Sequence, residues 1–421
     1  MWQLIRINKR NSILLLALMA AVLLALGYVI GAALQTYVPR ARHTYGTEAA
    51  VNGGAWGIAV AAGVWLVLAA LSFSGGDQIL LAASGAKAVT HDVHPQLFNI
   101  VEEMKIAAGL PAMPKVYIIP DPAPNAFATG RSPKTASVAV TAGLLGKLNR
   151  HELQGVVAHE ISHILHRDIL FVTLAGIMLG AIVLISQVFL RGTFYGAMAG
   201  RRRRYSSGGG QAQLILMIVA LICAVLAPLF AFLLYLALSR KREYLADAGA
   251  ARLTRYPAGL ADALEKIAAD PSPQLGRANK VTAPMYIANP FKKGRTLSDI
   301  TSTHPPISER IRILRNMSAG ASFRDYSEAF TRTTKAGSVV PTAAISSETI
   351  SLREPAAESK PQKTASQTKQ VGDLIRAVNA FTFLTCSCGL KMKIPPNYRA
   401  DRVKCPRCAK VSKTKGSGVN C

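Results

Sequence analysis

One segment of the chain is dense in groups able to hold a metal and move a proton: Ala158-His159-Glu160-Ile161-Ser162-His163-Ile164. On a helix, residues four apart share a face, so His159 and His163 can offer two imidazole nitrogens to one Zn²⁺. Glu160, one residue along, reaches the open coordination side and can take a proton from the bound water. A catalytic zinc usually takes three protein ligands and a water. Glu243, in Arg242-Glu243-Tyr244-Leu245-Ala246-Asp247, supplies a third. Asp247, one turn later on the same face, can accept a hydrogen bond from a ligand imidazole and fix its tautomer. The plain alternatives are a polar helix face with two unrelated histidines and, for Glu243 and Asp247, ordinary pairing with Arg240 or Lys241 at a membrane interface. His151 and His166 read as surface residues and stay outside the site, as do His43, His91 and His94.

These residues must be positioned by the surrounding elements. Four apolar runs, residues 13–34, 55–73, 169–190 and 214–238, reach the length of about 20 residues that a bilayer-crossing helix needs. The first follows Arg6, Lys9 and Arg10 and is too long for a signal-peptide core, so it reads as a retained anchor. The fourth contains Pro228, expected to kink it. The histidine pair lies just before the third run and Glu243 just after the fourth. If those two runs form a hairpin, ligands far apart in sequence emerge together on one membrane side.

Between the second and third runs, residues 94–108 carry Leu97, Val101, Met104 and Ala108 at helical period, with Gly109 as a stop. Pieces prone to β structure follow at 116–119, 125–129 and 137–141, separated by turn residues, and predict a small antiparallel sheet. Residues 143–167 return to helical spacing. Beyond the fourth run the helical pattern continues through residue 255, and further helices are expected over 257–269 and 306–316.

The chain thus divides into an N-terminal transmembrane hairpin (1–74), a first catalytic part with the zinc-binding helix (75–168) and a second membrane hairpin (169–239). A second catalytic part with the third ligand (240–330), a Ser-, Thr-, Ala-, Lys- and Pro-rich disordered linker (331–372) and a zinc-ribbon-like module (373–421) follow.

Composition agrees with a membrane protein: 50% of residues are hydrophobic, 17% are charged, and the mean hydropathy is positive at +0.25. The net charge of +26 fits nucleic-acid binding, attraction to anionic lipid, or the loop bias of a cytoplasm-facing membrane protein. The basic residues are spread along the chain, which favours the latter two and leaves nucleic acid to the tail. Arg6, Lys9 and Arg10 favour a cytoplasmic N-terminus, and two crossings then put the catalytic domain on that side too. The basic residues 201–204 oppose this if runs three and four both span; either the early segments dominate, or that hairpin is shallow.

Of six cysteines, Cys223 sits in an apolar run as an inert thiol and Cys421 is terminal. Cys386-Ser387-Cys388 and Cys405-Pro406-Arg407-Cys408 form two close pairs with Gly389 and Pro406 as turn formers, the pattern of a structural zinc ribbon. The first pair is Cys-x-Cys, a departure from the usual Cys-x₂-Cys. No disulfide framework is visible, which points to a reducing compartment. Lys391, Lys393, Arg402, Lys404, Arg407 and Lys410 make the module basic, and a partner protein, lipid or RNA all suit that charge.

Over about residues 10–316 the sequence resembles the HtpX-type membrane-integrated zinc peptidases, relatives of the CAAX-prenyl endopeptidases. The matching pieces are Asn125-Ala126-Phe127-Ala128-Thr129-Gly130, the His159/His163 motif, Glu243 with Asp247, and Thr303-His304-Pro305-Pro306 followed by Glu309-Arg310. The resemblance implies a mostly α membrane protein with four apolar transmembrane helices and a zincin-like α+β catalytic domain; the ribbon is an addition. It further implies that residues 125–129 form the sheet edge over the active site, where an extended peptide binds by β-augmentation. His304 would enter the cleft and help stabilise the oxyanion. The blander readings are a plain strand and turn, and a helix-start histidine followed by two prolines.

The implied function is a zinc endopeptidase in the inner (plasma) membrane, its catalytic domain facing the cytoplasm, acting in quality control of misfolded membrane proteins under stress. Two other readings are a catalytically silent scaffold recruiting partners through the ribbon, and a prenyl-protein processing protease. The latter would need a chamber for a lipidated peptide, which two hairpins hardly supply.

Overall fold

The computed structural model describes residues 2–35, 46–198, 210–270, 286–287, 304–342, 345, 349–354, 364–379, 381–398, 400 and 402–413. Thr303, Cys421, the basic residues 201–204 and His43 lie outside the described residues. Along the chain run α1 (Trp2–Gln35), α2 (Gly46–Ala83), β1 (Lys87–Ala88), α3 (Pro95–Ala108), β2 (Lys115–Ile119), β3 (Ala126–Thr129) and β4 (Ser137–Thr141). Then come α4 (Ala142–Lys147), α5 (Arg150–Leu165), α6 (Asp168–Met198), α7 (Gly210–Thr254), α8 (Pro257–Ala268), α9 (Ile307–Arg315), α10 (Phe323–Thr334) and α11 (Thr364–Val378). The last elements are β5 (Thr382–Thr385), β6 (Lys391–Ile394), β7 (Arg402–Lys404) and β8 (Val411–Lys413).

Among the described residues, four stretches are long and apolar enough to cross a membrane: Lys9–Gln35, Ala50–Leu71, Asp168–Tyr195 and Leu214–Thr254. They share one core, in which Met19, Leu23 and Leu26 of α1 meet Ala61 of α2, Met178 and Ile182 of α6, and Ala224 and Tyr235 of α7. Leu14, Leu66, Val188 and Leu229 point outward and stay exposed, as side chains facing hydrocarbon would. Helix α7 runs through Pro228 without ending there. Helix α2 loses helical geometry at Gly75 (φ −167°, ψ 15°). Helices α1 and α2 approach closely because Gly57 lacks a side chain: a Cβ there would lie 2.0 Å from the Gly27 carbonyl oxygen.

The catalytic domain packs a four-stranded sheet of order β1-β2-β4-β3 against its helices. The predicted sheet is present with two antiparallel pairs, β1/β2 and β3/β4, and one parallel pair, β2/β4. The register Ala126↔Val140 to Thr129↔Ser137 sets β3 at the sheet's edge. The parallel pair arises because β3 returns beyond β4, leaving β4 between its two neighbours.

The reading of residues 331–372 as a disordered linker fails for their described part. Residues 331–334 finish α10, Val340 is buried, and Arg353 donates to the Arg255 carbonyl through its backbone N–H (2.8 Å) and to Gln154 Oε1 (3.0 Å). Val371, Leu374, Ile375 and Val378 of α11, spaced three or four apart, join the catalytic core. Average composition conceals such a sparse apolar stripe.

Replacing Gly57 by Ile should force α1 and α2 apart and lower unfolding stability by about 1–3 kcal/mol, as overpacking does elsewhere. Thermal unfolding in detergent checks this, with Gly63→Ile, where a Cβ meets no atom within 4 Å, as the neutral control.

Candidate metal centre

Helix α5 is started by a reciprocal cap. The Asn149 side chain accepts from the Glu152 N–H and Glu152 Oε2 from the Asn149 N–H, both at 2.9 Å. Its second half, Ala158 through Ser162, is buried. The helix stops at a tight turn in which Arg167 is left-handed (φ 59°), and α6 begins at once with Asp168. That turn folds Asp168 back on His163, Oδ2 to Nδ1 at 3.2 Å. Helix α7 lies directly across α5 because Gly249 faces Ser162; a Cβ there would be 2.5 Å from Ser162 Oγ. The close approach brings Glu243 and Asp247 over the histidines, and Arg242 Nη1 donates to the Asp168 carbonyl (2.8 Å), joining the start of α6 to α7.

His159, His163 and Glu243 converge, each offering a ligand atom within 4.8 Å of the others. The two Nε2 atoms are 3.2 Å apart, Glu243 Oε1 is 3.4 Å from His163 Nε2, and Glu243 Oε2 is 3.7 Å from His159 Nε2. Tetrahedral zinc with imidazole nitrogens at 2.0–2.1 Å requires about 3.3 Å between donors. The far side of each ring is held by a carboxylate, Asp247 Oδ1 on His159 Nδ1 at 2.9 Å and Asp168 on His163 Nδ1. Protons assigned to the two Nδ1 atoms leave both Nε2 lone pairs and a Glu243 oxygen facing one another, an arrangement a cation resolves. The residues present therefore fit zinc.

The electrostatics agree. Burial alone would lower both imidazole pKa values, but Asp247 and Glu243 raise His159, and Asp168 and Glu243 carry His163 up to about 10. Burial raises Glu160 above the ordinary carboxylate range, opposed by both histidines and by the Ala128 backbone N–H that its carboxylate accepts. Arg310 is fully buried, its Nε and Nη2 on the two oxygens of Asp247 at 2.8 and 2.7 Å and its Nη1 on Glu243 Oε2 at 3.3 Å. Burial pulls its pKa down, and Asp247 more than reverses this.

His304 is buried with Nδ1 3.1 Å from Glu243 Oε2. Of residues 125–129, Ala128 touches Glu160, while Phe127 stacks edge-on against Tyr286 (5.2 Å). The Asn125 backbone is held by Thr141 Oγ1 (2.9 Å). The outer edge of β3 is partly used by its own chain: the Ile287 N–H donates to the Ala126 carbonyl (2.9 Å). By strand alternation Ala128 faces outward with Ala126, while Thr129 pairs with Ser137 of β4, so among the described residues the open position on this edge is the Ala128 carbonyl.

Sequence reasoning missed Asp168, Arg242 and the role of Arg310. The sequence signal for Asp168 is its place between the helical stretch 143–167 and the third apolar run; Arg310 is visible only as a motif letter. His166, read as a surface residue, is buried between α5 and α7, next to Gly249.

The second cluster is in the tail. Hairpins β5/β6 and β7/β8 each present a turn with two cysteines. Cys386 and Cys408 sulfurs are 3.4 Å apart, Cys388 and Cys405 3.7 Å, against about 3.8 Å for tetrahedral Zn–S bonds of 2.3 Å. The Cys388 backbone N–H, then the Cys408 thiol, lower the Cys386 pKa to about 6. Gly389 and Ala409 close the turns with positive φ (81° and 61°), so the short Cys-x-Cys pair still forms a compact turn.

Since His163 binds a proton strongly without metal, zinc must displace it at neutral pH. Zinc binding at pH 7 should release at least one proton, with affinity rising about tenfold per pH unit per proton displaced. Proton release and calorimetric titration measure both. Asp168→Asn and Asp247→Asn should each weaken zinc about 10–100-fold.

Residues 92–318 match the model of peptidase family M48. A protease HtpX homolog of Dictyoglomus thermophilum is 49% identical over 264 residues, covering 63% of this chain and 83% of the relative. One from Caldanaerobacter subterraneus subsp. tengcongensis is 46% identical over 247 residues (59% and 80%), and one from Streptococcus uberis 39% identical over 317 residues (75% and 100%). No solved structure matches the chain. With four apolar helices among the described residues and a buried cluster that could hold a metal, the chain is a membrane-bound zinc metalloprotease and belongs to peptidase family M48, among its HtpX-type members.

Proposed function

We propose that His159, His163 and Glu243 hold the catalytic zinc, that Glu160 is the base, and that the enzyme cuts misfolded membrane proteins from the cytoplasmic face of the inner membrane. The observation that carries this reading is the convergence of three ligand atoms beside a buried carboxylate that touches the edge strand. Zinc, when bound, acidifies water and polarises the scissile carbonyl. Glu160 takes the proton of the attacking water, which its raised pKa favours, and returns it to the leaving amine. Asp247 and Asp168 orient the two imidazoles, and Arg310 holds Asp247. His304 donates a hydrogen bond to the developing oxyanion. The outward-facing Ala128 carbonyl of β3 accepts from an extended substrate backbone, which suits unfolded segments of varied sequence. Orientation rests on Arg6, Lys9 and Arg10 ahead of the first span.

The four tail cysteines hold a second, structural zinc in a basic module. The domain division follows the same plan, with the two catalytic parts joined across the second hairpin and the second of them extended by α10 and α11.

Glu160→Gln should lower cleavage of an unfolded polypeptide by a factor of about 10³ or more while zinc stays bound. Retained proteolysis in that variant would remove Glu160 from the mechanism. Metal analysis should find two zincs per chain, and one after Cys405→Ser with Cys408→Ser; an unchanged count would dismiss the tail site.

A further inference from the structure

A cavity of about 700 Å³ lies where the catalytic domain meets the membrane bundle, between α2, α6 and the end of β3. One wall is α6 from Leu170 to Val183, about 20 Å at the helical rise. The near end is Thr129 and Gly130, where β3 finishes. Its wall is apolar, with Leu68, Leu80, Leu174 and Ile177, and it is recessed at Gly176 and Gly180, where a Cβ would meet no atom within 4 Å. Asp77 and Arg131 line it as well, beside the β3 end. The break at Gly75 frees carbonyls in the preceding turn of α2, and Arg131 Nη1 donates to that of Phe73 (2.5 Å). This bond ties the β3–β4 turn to the membrane helix and frames the opening.

We infer that this cavity receives an apolar stretch of the polypeptide substrate from the bilayer side and delivers it to the open end of β3. The inference rests on the protease reading above and names its substrate class. Continuity is the first argument: Ala128 touches Glu160, and Thr129, the next residue, already lines the cavity. A chain paired with this end of β3 enters or leaves through the cavity within a residue or two.

Length is the second argument. About 20 Å takes roughly six extended residues, far more than one side chain. Polarity is the third. An apolar wall accepts residues that were in hydrocarbon, but an extended backbone there needs hydrogen-bond partners, and at the catalytic end the Ala128 carbonyl offers one. A lipid acyl chain fits the wall but makes no use of that edge.

The test uses the full chain in vesicles of phosphatidylethanolamine and phosphatidylglycerol. A photoactivatable residue replacing Ile177 in the Glu160→Gln protein should cross-link an added single-span polypeptide; cross-linking to lipid alone overturns the inference. In the active protein, Gly176→Leu and Gly180→Leu narrow the cavity. Gly192→Leu, on the same helix beyond it, also meets open space. The rate of cleaving the single-span polypeptide, relative to a soluble unfolded one, should fall about tenfold in the first two and stay at the wild-type ratio in the third. A ratio unchanged in all three, whether or not both rates fall together, overturns it. Failure of the unmodified enzyme to cleave either polypeptide would strike the protease reading instead, and the cross-link still decides the cavity.

Discussion

The bidentate contact between Arg310 and Asp247 is the interaction on which the metal centre depends. Both residues are fully buried, and an isolated charge there would be costly. Together they satisfy one another, and each has a further use: Asp247 fixes the tautomer of His159, and Arg310 reaches Glu243 and the Ile287 carbonyl (3.0 Å). Three elements, α5, α7 and α9, are thereby locked around one point. Losing one member of such a buried pair typically costs about 3–5 kcal/mol, because the survivor is left uncompensated.

Charge balance gives the same answer from another direction. Glu160, Asp168, Glu243 and Asp247 are four buried carboxylates, and Arg242 and Arg310 are two buried guanidiniums. With neutral imidazoles and ionised carboxylates, these groups leave two negative charges uncompensated in the protein interior. The same carboxylates raise the pKa values of both histidines against the effect of burial. A divalent cation meets the same demand with one particle and at the point where the lone pairs converge. The demand for positive charge is thus built into the fold before any ligand distance is considered.

How much of this could be read from sequence depended on how local each signal was. The His159/His163 spacing is a property of one helix, and the four apolar runs are properties of composition and length. Glu243 required an argument through the hairpin, and the structure does join the start of α6 to α7 through Arg242 and Asp168. Asp168 escaped notice because its contact depends on the left-handed turn at Arg167, which no propensity would place at an arginine. Arg310 escaped because nothing in sequence tells a buried guanidinium from a surface one. Helix α11 was lost in a polar composition, although Val371, Leu374, Ile375 and Val378 carry a helical period.

The membrane helices do more than anchor this centre. Arg242, which holds Asp168, also reaches the Ser12 hydroxyl on α1, so a chain of buried polar contacts runs from the first membrane helix to His163 of the candidate metal cluster. The site is therefore fixed relative to the bilayer, and β3 ends at a cavity walled by α2 and α6. A folded segment cannot pair with a strand edge, because its own backbone groups are already bonded. Only a segment that has lost its structure can do so, and here it must lose it close to the membrane surface. If substrate pairs with this edge as proposed, selection for unfolded, membrane-proximal polypeptide follows from where the edge strand stops, without any side-chain recognition code.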